Sequence, residues 1–252
     1  MKHSNKWHTS LYDTLFAKIG LDSKEMHSRA EKEARFVARA TRLPTDATIL
    51  DIPCGTGRHA KALSKLGYAV TGVDINSDCL KLARKNCPKN VSLKRGDMKK
   101  LSWARGKFDA VINMFTSFGY FSTDSENEAV LGQMVNCLKP DGRLVIQTIN
   151  REFLLTIFDP ARWGETQTYY HQEATRYDPK TKYVESQKII IEKGSGRGHR
   201  YYHRARLYSA PELKALMRKC GLSKIKVYGD ADGNKLDRLK SSHPIYIGTK
   251  RR

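Results

Sequence analysis

Apolar positions along the chain follow two periods that trade places. Leu11, Leu15, Phe16 and Ile19, then Ala30, Ala34, Val37 and Ala38, recur at helical spacing across residues 11–42, and Pro44 and Asp46 end that stretch. Short apolar runs then alternate with amphipathic segments. The runs Ile49–Ile52, Ala69–Asp74, Val91–Arg95, Phe108–Met114 and Arg143–Ile149 read as strands, and Arg58–Leu66, Asn76–Lys85 and Glu128–Leu138 read as helices between them. Strands that alternate with helices predict a parallel sheet with helices on both faces. From Trp163 to Tyr208 the period changes to that of strands alone: Tyr169-Tyr170, Lys182–Ile191 and His199–Tyr208 are broken by Asp178-Pro179-Lys180 and by Gly194-Ser195-Gly196-Arg197-Gly198. Ser209-Ala210-Pro211-Glu212 opens a helix that Gly221 ends, and Ser223–Tyr228 and Pro244–Thr249 supply two last strands. The expected fold is α/β, a doubly wound, mostly parallel seven-stranded sheet with a β-rich antiparallel insertion after the fifth strand. We expect one domain: a helical segment (1–45), a core (46–160), the insertion (161–208) and a C-terminal helix with two strands (209–252).

Composition narrows the function classes. No run nears the roughly 18 apolar residues of a membrane span, and Met1–Ser10 lacks the apolar region of a signal peptide, so a cytoplasmic location and no membrane partner are expected. Five cysteines without a C-x-x-C pair read as reduced thiols, and no metal site is expected. The net charge of +20 is concentrated in residues 151–252, which suits anions, RNA included, and equally suits a solvated basic surface.

The candidate chemistry begins at Asp51-Ile52-Pro53-Cys54-Gly55-Thr56-Gly57-Arg58, where a strand passes through a glycine loop into a helix. Two glycines let the backbone approach a ligand, and the helix start offers unpaired N–H groups. Gly55-Thr56-Gly57-Arg58-His59-Ala60 also fits a dinucleotide fingerprint, with Asp74 downstream. Asp51 decides between the two: a carboxylate at the strand's end is unfavourable beside a pyrophosphate and suits a ligand bearing an ammonium. S-adenosylmethionine carries an ammonium and a sulfonium and has no phosphate.

On these residues the chain resembles the class I S-adenosylmethionine-dependent methyltransferases. Asp51 to Gly57 resembles the family's glycine-rich first motif, with Pro53 where many members have a glycine. The resemblance implies S-adenosylmethionine as cofactor, held by Asp51, Pro53, Cys54, Gly55, Thr56 and Gly57. It implies Asp74, followed by Ile75, at the ribose hydroxyls, Asp97 at the adenine amine, Met98 on the adenine ring, and Asn113 at the end of the fourth strand. Asn113 to Tyr120 would be the shelf where methyl transfer occurs; it lacks the Pro-Pro signature of base-amine methylation and resembles members acting on small molecules. Trp7, His8 and Tyr12 would close over the cofactor or simply pack.

Methyl transfer from a sulfonium is an in-line displacement, to which alignment alone contributes roughly 7–11 kcal/mol. If a proton must leave the acceptor, Tyr120, His171 and His203 are the candidate bases, with Asn113 beside them on the shelf. The leading reading is methylation of an N or O nucleophile on a small molecule, an anionic one included. An RNA methyltransferase using Arg197, Arg200, Tyr201, Tyr202, Arg204 and Arg206, and a non-catalytic S-adenosylmethionine-binding protein, stand as alternatives. The sequence carries no indication of oligomeric state.

Overall fold

The computed structural model describes residues 14–252, and the expected role of Trp7, His8 and Tyr12 lies outside them. β1 (Thr48–Asp51) is an interior strand, with β2 (Ala69–Asp74) and β4 (Phe108–Asn113) parallel on either side. β3 (Ser92–Arg95) pairs parallel with β2, and β5 (Leu138–Gln147) pairs parallel with β4. β11 (Ile245–Lys250) then joins β5 antiparallel, and β10 (Leu222–Tyr228) forms the edge beyond it. Successive strand residues face opposite sides and build two cores. Ile49, Ile112 and Val145 meet α2 (Lys24–Thr41) and α3 (Arg58–Lys65), while Leu50, Val111 and Leu144 meet α5 (Asp124–Cys137) and α7 (Ala210–Lys219).

Local chemistry sets the element ends. Ser23 accepts from the Met26 N–H and starts α2 after a break from α1 (Thr14–Leu21), so the apolar stretch of residues 11–42 divides in two. Asn76 accepts from the Asp78 and Cys79 N–H groups at the start of α4 (Ser77–Asn86). Thr123 caps α5, which begins before Glu128 because its first turn, Asp124 to Asn127, is polar and hides its helical period. Ser209 and Glu212 form a reciprocal capping box on α7.

The insertion is a second, fully antiparallel sheet of β6 (Ala161–Glu165), β7 (Tyr169–Tyr177), β8 (Tyr183–Glu192) and β9 (Gly198–Arg206). It is reached through a short helix, α6 (Arg151–Thr156), which like β6 has no periodic signal in the sequence. The sheet is fastened to the shelf after β4. The Arg206 N–H donates to Gly119 O at 2.8 Å, and Gly119, at φ +101°, leaves no room for a Cβ, which would lie 2.6 Å from Arg206 O. The Tyr183 hydroxyl donates to Phe121 O at 2.7 Å, and Tyr120 packs with Val184, Ile190, Tyr201 and Ala205. No helix among the described residues is long and apolar enough to cross a membrane, and no cluster of His, Cys, Asp and Glu among them could hold a metal.

Candidate active site

A cavity opens at the carboxyl ends of β1, β2 and β4, lined by Pro53, Cys54, Gly55, Arg58, Asp74, Ile75, Met98, Phe115, Tyr120 and Phe121 among others. Gly57, at φ +80°, begins α3 against α4, and a Cβ there would lie 2.6 Å from Cys87 Sγ. The constraint explains this glycine through helix packing, since Gly57 itself stays off the cavity wall. Asp74 faces the cavity while its oxygens accept from the Gly55 N–H and the Asn76 N–H, both at 2.8 Å. It therefore pins the loop and keeps free lone pairs for a ligand. Burial raises its pKa, and those backbone N–H groups oppose the rise.

Asp51 lies behind the loop, 1 % exposed, and its Oδ2 has no hydrogen-bond partner. Burial pushes its carboxyl up to about 8; the Arg58 charge lowers it and Asp74 raises it further. A buried carboxylate oxygen without a partner is costly unless a cation or donor completes it. An ammonium group would do so, and the residues therefore fit S-adenosylmethionine. Arg58 adds a positive charge at a helix start, where the dipole disfavours a cation unless an anion accompanies it.

The shelf separates this cavity from a second one. Phe115 (φ 55°) and Thr116 (φ 62°) are consecutive non-glycine residues in the left-handed region, a conformation costing about 1–3 kcal/mol each. Gln147 receives both: its side-chain Oε1 accepts from the Phe115 N–H and its backbone carbonyl from the Thr116 N–H, each at 3.0 Å. Phe115 thereby faces the first cavity and Thr116 the second. The Arg29 and Arg58 guanidinium groups both lie over the Phe115 ring, at 5.0 and 4.5 Å from its centroid.

The second cavity lies between the shelf and one face of the insertion, and its wall is rich in hydrogen-bonding side chains: Thr148, Asp159, Arg162, Glu173, Ser186 and His203. Ser186 donates to Glu173 in a short hydrogen bond, and Ser186 pairs with His203 across β8 and β9. His203 packs edge-on against Tyr120, with ring centroids 5.2 Å apart, so the two rings meet where the cavities adjoin. Burial lowers the His203 pKa to about 4; Glu173 raises it and Lys188 lowers it. The imidazole is therefore neutral at pH 7. The Thr148 Oγ1 is buried without a partner on the same wall.

The expected residues divide accordingly. Pro53, Cys54, Gly55, Asp74, Ile75, Met98 and Tyr120 come together around the first cavity, and His203 lines the second. Thr56 is buried with its hydroxyl on Leu21 O. Asn113 is fully buried, donating from Nδ2 to Ile52 O at 2.8 Å, and ties β4 to the loop after β1 without reaching either cavity. Asp97 turns its Oδ1 to the Lys99 N–H and lies off the cavity wall. His171 packs over Gly164 on β6 and lines neither cavity. Sequence reasoning passed over Arg58, Phe115, Phe121, Thr148 and Glu173 as site residues. Two of them carried a signal: Phe115 lay within the expected shelf, and Arg58 is a cation where a helix dipole disfavours one. Of the basic and aromatic run in β9, Arg204 is paired with Glu185 at 3.1 Å and Arg206 with Asp124 at 3.0 Å, while Tyr201 is buried against Tyr120 and Ile190.

Fold and site together define a glycine-loop α/β domain with a cavity at the carboxyl ends of its central strands. Residues 49–142 match the family model described as a methyltransferase domain. The chain is 33% identical over 140 residues to the dTDP-3-amino-3,4,6-trideoxy-alpha-D-glucopyranose N,N-dimethyltransferase of Streptomyces venezuelae, covering 56% of each chain. It is 35% identical over 137 residues to the dTDP-3-amino-3,6-dideoxy-alpha-D-glucopyranose N,N-dimethyltransferase of Streptomyces fradiae, covering 54% of this chain and 51% of that one. The matched stretch thus spans about half the length of these curated relatives. Among solved structures, Streptomyces venezuelae DesVI superposes with a TM-score of 0.68 at 25% identity, over 96% of this chain and 98% of that one. The CcbJ methyltransferase of Streptomyces caelestis shares the fold with a TM-score of 0.81 at 22% identity, over 96% and 100%. The chain has the fold of these methyltransferases, and within it residues 49–142 match the methyltransferase-domain model.

Proposed function

We propose that the protein N-methylates an amine on a small, hydroxylated acceptor seated in the second cavity. The observation that carries this reading is the shared shelf, with Phe115 and Tyr120 lining the first cavity and Thr116 lining the second, across which His203 of β9 faces it. The names of the two Streptomyces relatives, both N,N-dimethyltransferases of amino sugars, support an amine on a sugar-like acceptor. S-adenosylmethionine supplies an electrophilic methyl group when bound. Asp51 would hold its ammonium, Arg58 its carboxylate and Asp74 its ribose, with the Phe115, Tyr120 and Phe121 rings beside the sulfonium. Thr148, Glu173 and Ser186 would bind the acceptor's hydroxyls and turn its nitrogen towards the shelf. Neutral His203, with its pKa lowered to about 4 by burial, would accept a hydrogen bond from the acceptor's N–H and keep the nitrogen lone pair turned to the shelf, and the proton shed by the methylated nitrogen would pass to solvent. Alignment and exclusion of water supply most of the acceleration.

Incubation with methyl-labelled S-adenosylmethionine and a panel of amino sugars, their hydroxyl analogues and an RNA extract tests the reading. Mass analysis should find label on nitrogen. Label on oxygen alone, or in the RNA fraction alone, would overturn it.

A further inference from the structure

Gln147 lies at the last position of β5, 2 % exposed, with every polar group of its side chain engaged. Its Nε2 donates to Glu33 Oε1 at 2.8 Å, and its Oε1 accepts from the Phe115 N–H. The orientation of this amide has one solution, because a carboxylate only accepts and a peptide N–H only donates. Glu33 is itself held from two more directions, by Arg29 Nε at 2.9 Å on Oε1 and His59 Nε2 at 2.7 Å on Oε2. Burial opposes its charge, but the hydrogen bonds from His59 and Gln147 and the Arg29 charge hold its pKa down to about 2. Groups from α2, α3 and β5 thus converge on Glu33, and Gln147 carries that network to the Phe115 N–H. His243, from the loop before β11, stacks parallel to its ring at 6.4 Å.

We infer that Gln147 and Glu33 are positioning residues for methyl transfer: they hold Phe115 and Thr116 in the left-handed region and so fix how the two cavities meet. A left-handed pair without glycine persists only where its surroundings impose it, and Gln147 imposes it here, its side-chain amide, keyed by Glu33, holding the Phe115 N–H and its backbone carbonyl the Thr116 N–H. Neither residue touches the reacting atoms. Their effect reaches the chemistry through the wall that carries Phe115 on one side and Thr116 on the other. Release of the wall would leave Asp51, Asp74 and the glycine loop in place and misalign acceptor and cofactor. The inference rests on the two-cavity reading of the site.

The variant Gln147→Met keeps the side chain's length and removes both hydrogen bonds. It should lower kcat by about 10- to 100-fold, the range expected for a misplacement of about 1 Å. Cofactor affinity should fall much less than kcat, because Asp51, Asp74 and the glycine loop keep their places while only Phe115 on the cofactor side shifts. Glu33→Leu should act in the same direction, and Glu33→Gln, which keeps an acceptor for the Gln147 amide, should restore most of the rate. The crystal structure of Gln147→Met should show Phe115 or Thr116 at negative φ, and that readout needs no acceptor. It separates this inference from the choice of substrate: if no amine is methylated, the backbone still decides it. Unchanged φ values, an unchanged kcat, or equal losses of cofactor affinity and kcat would overturn the assignment.

Discussion

Each side of the shelf has a buried oxygen without a partner, one behind the loop that borders the first cavity and one on the wall of the second, and the two differ in kind. On the cofactor side it is Asp51 Oδ2, a group that carries charge when ionised; on the acceptor side it is the hydroxyl of Thr148. An unpaired buried charge tends to shed its charge, whereas an unpaired hydroxyl only forgoes a hydrogen bond. In the proposed function the first cavity selects a cation and the second reads a pattern of donors and acceptors. The scaffolds differ in the same sense: the cofactor side is the rim of a parallel sheet, the acceptor side the face of an antiparallel one.

The largest expected effect is on the cofactor side, in Asp51→Asn. Loss of the charge opposite an ammonium should weaken S-adenosylmethionine by about 2–5 kcal/mol, the range for truncating one partner of a buried charge pair. The same change should flatten a pH dependence. With its pKa raised to about 8 by burial, folded Asp51 keeps a proton that the unfolded chain releases near pH 4, so its contribution to stability falls as pH rises from about 4 to 8. Asp51→Asn should lack that fall in thermal scans of the ligand-free protein. Between pH 6 and 8, cofactor binding to the parent should release a proton, measurable by calorimetry in buffers of different ionisation enthalpy. Absence of proton release would mean that no ammonium meets Asp51.

Asp74→Ala should weaken the cofactor by about 1.5–3 kcal/mol, the range for hydrogen bonds to a charged group. KM for the acceptor should not change. A matched rise in acceptor KM would show that the cavities are not separate, and would break the comparison from the other side.

The cofactor side was legible in the sequence because backbone geometry dictates its residue types. A strand ending in Asp51, a loop turning on Gly55 and Gly57, and a second strand ending in Asp74 leave few alternatives at their positions. The acceptor side was legible only as a block of strands. Period-two patterning locates β7, β8 and β9, but which of their faces turns inward depends on how Arg206 and Tyr183 dock on Gly119 and Phe121, far away in sequence. The β9 run of Arg and Tyr illustrates the limit: read as one basic surface, it divides between exposed Arg200 and buried Tyr201 and Arg206. The left-handed step at Phe115 and Thr116 had no local signal, since neither residue is a glycine and the cause lies in Gln147 and Glu33.

A smaller effect should separate the cavities in the opposite direction. Thr148→Val deletes a hydroxyl that has no partner in the ligand-free protein, so stability should hold or rise by up to about 1 kcal/mol. Acceptor KM should rise by a few fold, about 1 kcal/mol, the typical net contribution of one hydrogen bond, and the cofactor Kd should not change. An unchanged KM would remove Thr148 from the acceptor's contacts.

The smallest effect concerns what the +20 charge does for the acceptor side. Binding that neutralises phosphates on a single strand loses affinity with salt at a logarithmic slope of roughly 0.7 per contact. Four contacts would give a slope near −3, about a sevenfold loss for each doubling of salt. A small acceptor of one charge should show a slope of about −1 or shallower, so that doubling the salt costs at most about 0.4 kcal/mol. The shallow outcome is expected because Arg204 and Arg206 are already paired with Glu185 and Asp124, and the polar groups of the second cavity face inward around a compact volume. KM for the acceptor measured from 50 to 400 mM salt decides the matter, with Arg197 and Arg200 replaced together by Gln as the control for the exposed cations. A steep slope in the parent that those two changes flatten would assign the insertion to RNA and leave the second cavity without its proposed occupant.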